Sequence, residues 1–205
     1  MHRIDTFVLM TVMKKVVIST IVVITFASRC AWADLWLAAT PRVIASEDAD
    51  IIVRISPGAT GRSARAEWFA RADERTYRLT ASANLLNPMA PVDVFVANDG
   101  TLVAINEWGA VGYGIVLAFY RNDGSLIRKY ALGDLYTTAQ IACFRHSASS
   151  IAWTGDSSFP QLNDQQRWFA MSDVWGLNLT FSLDSGALVR RSEYQAPCPR
   201  SHKPP

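Results

Sequence analysis

The sequence predicts an all-β fold built mostly from antiparallel hairpins. Three segments repeat one pattern, in which an extended apolar run meets a short polar turn with glycine, followed by a small residue, leucine and an aliphatic residue. Helical periodicity is scarce between these segments, whereas a parallel sheet would need helical crossovers. The pattern therefore favours a mostly antiparallel meander of hairpins, with one short helix near residues 134–144 and an N-terminal signal-peptide helix.

The three repeated segments predict individual hairpins. They are Val92–Val103 around Asn98-Asp99-Gly100, Ile115–Ile127 around Asn122-Asp123-Gly124, and Leu177–Val189 around Asp184-Ser185-Gly186. Asp-Gly turns supply the positive φ angles that tight hairpins require, and the flanking β-branched and aromatic residues suit a pleated sheet.

The remaining segments give less uniform signals. Asp50–Ile55 is predicted as a strand that ends at Ser56-Pro57-Gly58. Ala64–Ala83 is compatible with a helix or a hairpin, and the hairpin is favoured. Asp134, after Gly133, is predicted as the N-cap of a helix over 134–144. Residues 154–166 are expected to form a polar loop.

The N-terminus resembles a secretory signal peptide. Lys14 and Lys15 precede an apolar run of 12 residues, Val16–Ala27, and Ala31-Trp32-Ala33 before Asp34 fits a cleavage site between Ala33 and Asp34. Met13 is predicted as the true start of translation. The expected organisation is a signal peptide over 1–33, a single β-domain over 34–196 and a flexible, proline-rich tail over 197–205.

Two alternatives to cleavage remain. An uncleaved leader would tether the domain to a membrane, but the apolar run is shorter than the ~20 residues that a spanning helix needs. Acylation at Cys30 would make a lipoprotein, but Arg29 stands where a small residue is expected. A cleaved leader predicts a periplasmic or secreted protein.

Cleavage changes the charge of the chain. The 33 leader residues contain four of the 20 Lys and Arg residues and one of the 18 Asp and Glu residues, so the remaining 172 residues carry 16 cations and 17 anions. The mature net charge is about −1, because the leader carries a net charge of +3 and the whole chain only +2. Nucleic-acid binding needs clustered cations, and this class of function is set aside.

Cys143 and Cys198 are the two cysteines that remain after cleavage. In an oxidising compartment they are predicted to form a disulfide that closes a loop of about 55 residues, worth on the order of 4 kcal/mol. The alternative is a buried Cys143 and a free cysteine in the tail.

Several short motifs resemble a group of uncharacterised exported bacterial proteins with strand repeats of the β-propeller type. The motifs are Asn87-Pro88-x-x-Pro91, Ala97-Asn98-Asp99-Gly100, Asn106-Glu107-Trp108, Gly112-Tyr113-Gly114, Asp123-Gly124-x-Leu126-Ile127-Arg128 and Ser149-Ser150-Ile151-x-Trp153. The resemblance covers residues 84–190 and implies propeller-like strands but no particular activity. A closed propeller needs at least four blades of ~40 residues, for which the mature chain is just long enough, but only three turns are recognisable. The expected fold is therefore a partial β-propeller-like or β-sandwich-like meander, with closure as the alternative.

Glu107, Trp108 and Tyr113 are the candidate ligand-binding residues. They lie among three glycines in the segment 107–114, where aromatic faces and an acid could contact a sugar or a peptide. The alternative, which we favour, is that the glycines permit an irregular connection and the two aromatic residues close one end of the core.

Other chemistry finds little support in the sequence. No nucleophile elbow occurs, and His146 is the single histidine outside the leader and the tail, so no catalytic residue, metal site or cofactor is predicted. The carboxylates of aspartates such as Asp99, Asp123 and Asp184 are expected to accept hydrogen bonds from backbone N–H groups in turns. The pairs Trp68-Phe69 and Trp168-Phe169 are interpreted as core or inter-sheet packing rather than as binding platforms.

Three hypotheses for function follow. The first is an exported, non-catalytic binding domain whose partner is an envelope protein or a glycan, with membrane contact only through an uncleaved leader. The second is an envelope hydrolase that uses paired carboxylates. The third is a truncated β-repeat protein with a structural role, which an unclosed sheet with a long unpaired edge would favour.

Overall fold

The computed structural model describes residues 36–59, 62–154 and 160–192. The predicted signal peptide, the cleavage site at Ala33 and Asp34, Cys198 and the proline-rich tail lie outside these residues. Export, cleavage and the disulfide between Cys143 and Cys198 therefore stay predictions. No helix in the three described ranges is long and apolar enough to cross a membrane.

The strands form three four-stranded sheets, and in each sheet the spatial order follows the chain. The first sheet contains β1 Arg42–Ala45, β2 Ile51–Ser56, β3 Ser63–Arg71 and β4 Tyr77–Pro88. The second contains β5 Pro91–Val96, β6 Leu102–Glu107, β7 Leu117–Tyr120 and β8 Leu126–Tyr130. Every pairing is antiparallel, so the predicted meander is confirmed, and the ambiguous segment 64–83 is a hairpin.

The third sheet lies nearer the C-terminus. It contains β11 Gln161–Asn163, β12 Trp168–Ser172, β13 Asn178–Ser182 and β14 Leu188–Arg191, and β9 Arg145–His146 pairs with β10 Ile151–Ala152 in a short ribbon before it. The expectation of a polar loop over 154–166 was wrong for residues 161–163. Leu162 packs against the core, which draws this short segment into the sheet.

The three predicted glycine turns join neighbouring strands. Gly124 has a φ of 83°, donates its N–H to the Arg121 carbonyl over 2.9 Å, and packs against the first sheet. A Cβ atom at this position would lie 2.5 Å from the Cβ of Ala83. Glycine is therefore required here both by the backbone conformation and by the close approach of two sheets.

The helical region differs from the prediction. Two four-residue helices, α1 Leu132–Leu135 and α2 Thr138–Ile141, replace a single helix over 134–144. Asp134 is not an N-cap; it is the third residue of α1, and its carboxylate accepts the Ala131 N–H over 2.7 Å. The chain is extended at Tyr136, which buries its ring and ends the first helix. Thr137 then caps the second helix.

The second sheet is the middle layer of the core. Leu102 and Ala104 of β6 pack with side chains of the first sheet, including Trp68. The alternate residues Val103 and Ile105 pack with Phe169 and other side chains of the third sheet. A strand in a sheet that is covered on both faces has apolar residues at consecutive positions. This explains why β6 and β7 lack the alternation of polar and apolar residues.

Candidate functional site

Glu107, in the predicted binding loop, makes internal contacts. Its carboxylate accepts the Ile115 N–H over 2.8 Å and fills the space beside Gly114. A side chain at Gly114 would collide with it, and this glycine has a φ of 58°. The carboxylate thus holds the two sides of the connection between β6 and β7 together.

Trp108 and Tyr113 lie in the same connection but have different surroundings. The Trp108 ring packs edge-on against Trp36, with 5.3 Å between ring centroids, and its indole N–H donates to the Leu37 carbonyl over 2.8 Å. Tyr113 is 41% exposed. The structure brings these residues into one loop, with the Trp108 edge engaged internally, and ligand binding by the loop stays a prediction.

A buried polar network lies beneath this loop and was not predicted from the sequence. Asn106 has a φ of 58° and is 2% exposed. Its side-chain oxygen accepts the Trp153 indole N–H over 2.7 Å and the Gly112 N–H over 3.3 Å. Its own carbonyl accepts the side-chain N–H of Asn87 over 3.0 Å. We call these four residues the Asn106 network, which fixes the start of the loop on the core.

Arg167 joins the β5–β6 turn, at the end of β6 away from the Asn106 network, to the β13–β14 turn. Its guanidinium lies 2.6 Å from Asp99 in the β5–β6 turn, 2.9 Å from Asp184 in the β13–β14 turn, and 3.8 Å from Asp164. Asp99 also accepts the Thr101 N–H over 2.9 Å. Burial acts to raise the pKa of Asp99, but the hydrogen bonds from Thr101 and Arg167 outweigh it and lower this pKa.

The first turns of the three sheets are linked in series near Arg167. Asp48 donates its N–H to the side-chain oxygen of Asn98 over 3.2 Å, and Asn98 donates its own N–H to Asp164 over 2.8 Å. The second Asp164 oxygen is buried without a hydrogen-bond partner. Within the part of the chain that the structure describes, no group of three His, Cys, Asp or Glu residues is placed to hold a metal ion.

The outer face of the third sheet forms an open groove with a volume of about 820 Å³. Its floor is a row across four strands, in which Gln161 is opposite Ala170, Ala170 opposite Thr180, and Thr180 opposite Arg190. Strands lie ~4.8 Å apart, so the row spans about 14 Å. We call this feature the third-sheet groove.

Trp168 stands beside the small floor residue Ala170 and lines the third-sheet groove. Its indole N–H donates to the side-chain oxygen of Gln166 over 2.8 Å, which fixes the orientation of the ring. The neighbouring Phe169 is fully buried on the other face of the strand. The interpretation of the Trp168-Phe169 pair as core or inter-sheet packing was therefore wrong for Trp168, which lies on the outer face.

The groove is lined mainly by groups that form hydrogen bonds. Asn178 accepts a hydrogen bond from the Ser172 hydroxyl over 2.5 Å, and both residues lie on the same outer face. Among the described residues, the side chains of Gln161, Thr180 and Arg190 make no hydrogen bond or ion pair with the protein. The volume lies within the range of small-molecule sites, and the lining is more polar than in most of them, so a ligand for this groove would itself be polar.

The comparisons with known proteins assign no role to the chain, so its role is argued from the geometry. No protein-family model matches the chain, and no curated protein matches its sequence. The class that the fold defines is an all-β protein of antiparallel four-stranded meanders. The candidate site that the geometry offers on this chain is the third-sheet groove.

Proposed function

We propose that the protein is an exported, non-catalytic binding domain that holds an extended polar ligand in the third-sheet groove. The observation that carries this proposal is the position of Trp168 on an outer sheet face, beside Gln161, Thr180 and Arg190, which have no partner among the described residues. Unpaired polar groups around an aromatic residue can replace their water contacts by contacts with a ligand.

The charges at the turns favour binding over hydrolysis. A carboxylate-based hydrolase needs one acid that stays protonated near neutral pH, which requires a raised pKa. Asp99 and Asp184 both form an ion pair with Arg167 and are one candidate for such a pair. The pKa of Asp99 is lowered by its hydrogen bonds despite partial burial, so Asp99 is suited to an ion pair rather than to proton donation.

One observation favours the alternative of a structural β-repeat protein. β4, Tyr77–Pro88, is twelve residues long and pairs only with β3 among the described strands. A long edge can accept a strand from a partner. Its register with β3 shifts between Ser63 and Arg65 and again between Trp68 and Phe69, and such irregularities are a common protection of natural edges.

The proposal can be tested with protein exported from the full-length gene and purified from the periplasm. Purified peptidoglycan sacculi and outer-membrane vesicles serve as the two probes in co-sedimentation. Wild-type protein is expected to sediment with one of them, and Trp168→Ala to lose at least tenfold in affinity. Trp168→Phe keeps an aromatic ring and is the matched control. No sedimentation of the wild type, or equal sedimentation of Trp168→Ala, would overturn the proposal.

A further inference from the structure

We infer that the third-sheet groove binds an acidic oligosaccharide, with a sugar ring against Trp168 and a carboxylate on Arg190. This inference rests on the proposed function and adds the chemical class of the ligand. The row Gln161, Ala170, Thr180 and Arg190 sets the path of the ligand across the strands.

Trp168 provides the flat contact surface. The hydrogen bond from its indole N–H to Gln166 holds the ring in place, so little side-chain entropy is lost when a ligand binds. Ala170 lies two residues along the same strand and on the same face as Trp168. It leaves space above the floor because its side chain is a single methyl group. A sugar ring has an apolar face for the indole and hydroxyl groups at its edge for the neighbouring polar side chains.

Gln161 and Thr180 provide hydrogen bonds along the floor. The Gln161 amide has both donors and an acceptor, and the Thr180 hydroxyl can donate or accept. Both groups match sugar hydroxyls, which also donate and accept. Thr180 faces outward because Leu179 and Phe181 on either side of it are fully buried.

Arg190 gives the groove its charge preference. The other cation of the lining, Arg167, is paired with Asp184 and Asp99. Arg190 is exposed and has no carboxylate partner among the described residues. A planar guanidinium pairs well with a carboxylate through two parallel hydrogen bonds, so an acidic sugar complements this end of the row.

The geometry of the groove is less suited to other polymers. An extended peptide usually binds by adding a strand to a free sheet edge, whereas the row crosses the middle of a sheet whose backbone groups pair with neighbouring strands. Single-stranded nucleic acid needs a track of cations for its phosphates, and one unpaired arginine does not supply one.

The test uses isothermal titration calorimetry with the protein exported from the full-length gene. The probes are hexagalacturonate, which carries a carboxylate on each sugar, and its methyl ester, which keeps the sugar chain and removes the charges. Wild-type protein is expected to bind the acid at least fivefold more tightly than the ester. Trp168→Ala should weaken binding of the acid about tenfold or more, whereas Trp168→Phe should weaken it less.

Arg190→Gln tests the charge preference. This variant is expected to bind the acid and the ester equally, because the amide retains hydrogen bonding but not charge. Arg78→Gln is the matched control, since Arg78 is an exposed strand arginine on the first sheet. Arg78→Gln should bind as the wild type does.

The outcomes separate the ligand class from the proposed use of the groove. Equal affinity of the wild type for the acid and the ester, or an unchanged preference in Arg190→Gln, would overturn the acidic ligand. Absence of binding to hexagalacturonate, together with Trp168-dependent sedimentation with an envelope probe, would overturn a ligand of the uronic-acid type while the groove stands. Trp168-independent binding in both assays would overturn the groove itself.

Discussion

Replacement of Asn106 is expected to destabilise the protein strongly, because two buried donors depend on its side chain. Asn106→Ala leaves the Trp153 indole N–H and the Gly112 N–H without their acceptor. An unsatisfied buried donor costs about 1–3 kcal/mol, and the 3.3 Å bond to Gly112 belongs at the low end of that range. We expect a loss of about 2–4 kcal/mol in the free energy of unfolding from the donors alone.

The backbone conformation of Asn106 adds a second effect. Its φ of 58° lies in the left-handed region, which asparagine tolerates better than alanine does and which glycine adopts freely. Asn106→Gly loses the same side-chain acceptor but avoids the strain. At ordinary helix or strand positions glycine is less favourable than alanine by ~0.5–1 kcal/mol, and here the order should reverse, with Asn106→Gly the more stable by about 1 kcal/mol.

Urea unfolding followed by tryptophan fluorescence measures these differences. Hydrogen exchange of the Trp153 indole N–H provides a local readout, and exchange should accelerate in both variants. Asn122→Ala is the control, because Asn122 is an exposed turn residue. An Asn106→Ala protein as stable as the wild type, or more stable than Asn106→Gly, would contradict the interpretation of the Asn106 network.

Three further predictions concern the turns. Gly124→Ala should lower the free energy of unfolding by about 2 kcal/mol or more, because Gly124 has a positive φ and an added Cβ would clash with Ala83. Urea unfolding of the double variant Gly124→Ala/Ala83→Gly tests the clash. Lack of any recovery of stability in the double variant would contradict it. Arg167→Gln should lower the free energy of unfolding by about 1 kcal/mol or less at low salt, since the ion pairs of Arg167 with Asp99 and Asp184 are partly exposed. The stability difference from the wild type should shrink in high salt, because salt screens exposed ion pairs. A difference that does not depend on salt would contradict an electrostatic role. Asp99 has a lowered pKa in the folded state, so its contribution to the free energy of unfolding is present above the ordinary carboxyl pKa and is lost as pH falls through the lower folded value. Asp99→Asn should therefore be less stable than the wild type near pH 7, and the two stabilities should converge in acid. A stability difference that stays constant across pH would refute this.

The hairpins could be predicted from the sequence because their signals are local. The Asp-Gly turns and the flanking strands lie within about a dozen residues of each other, and the period-two pattern of residues is visible without tertiary information. β11 escaped prediction because it has three residues, and only Leu162 packs into the core. The two short helices were merged because the break at Tyr136 depends on burial of its ring.

The candidate site was less accessible because it depends on long-range placement. Arg167 meets Asp99, which is distant in sequence, and no local pattern pairs them. Trp168 carried a usable signal: adjacent residues in a strand face opposite sides, so Trp168 and Phe169 could not both lie in one core. Asn106 carried none, since its role depends on Trp153 packing beneath it.

The middle position of the second sheet has a consequence for how the protein can vary. β6 and β7 have apolar side chains on both faces, so neither flanking sheet can be removed without exposing a broad apolar surface. Such a surface invites aggregation. The three sheets are therefore inseparable for stability, and evolution can freely change only what faces outward. A groove on the outside of the third sheet is the kind of surface on which binding specificity can diverge while the core stays the same.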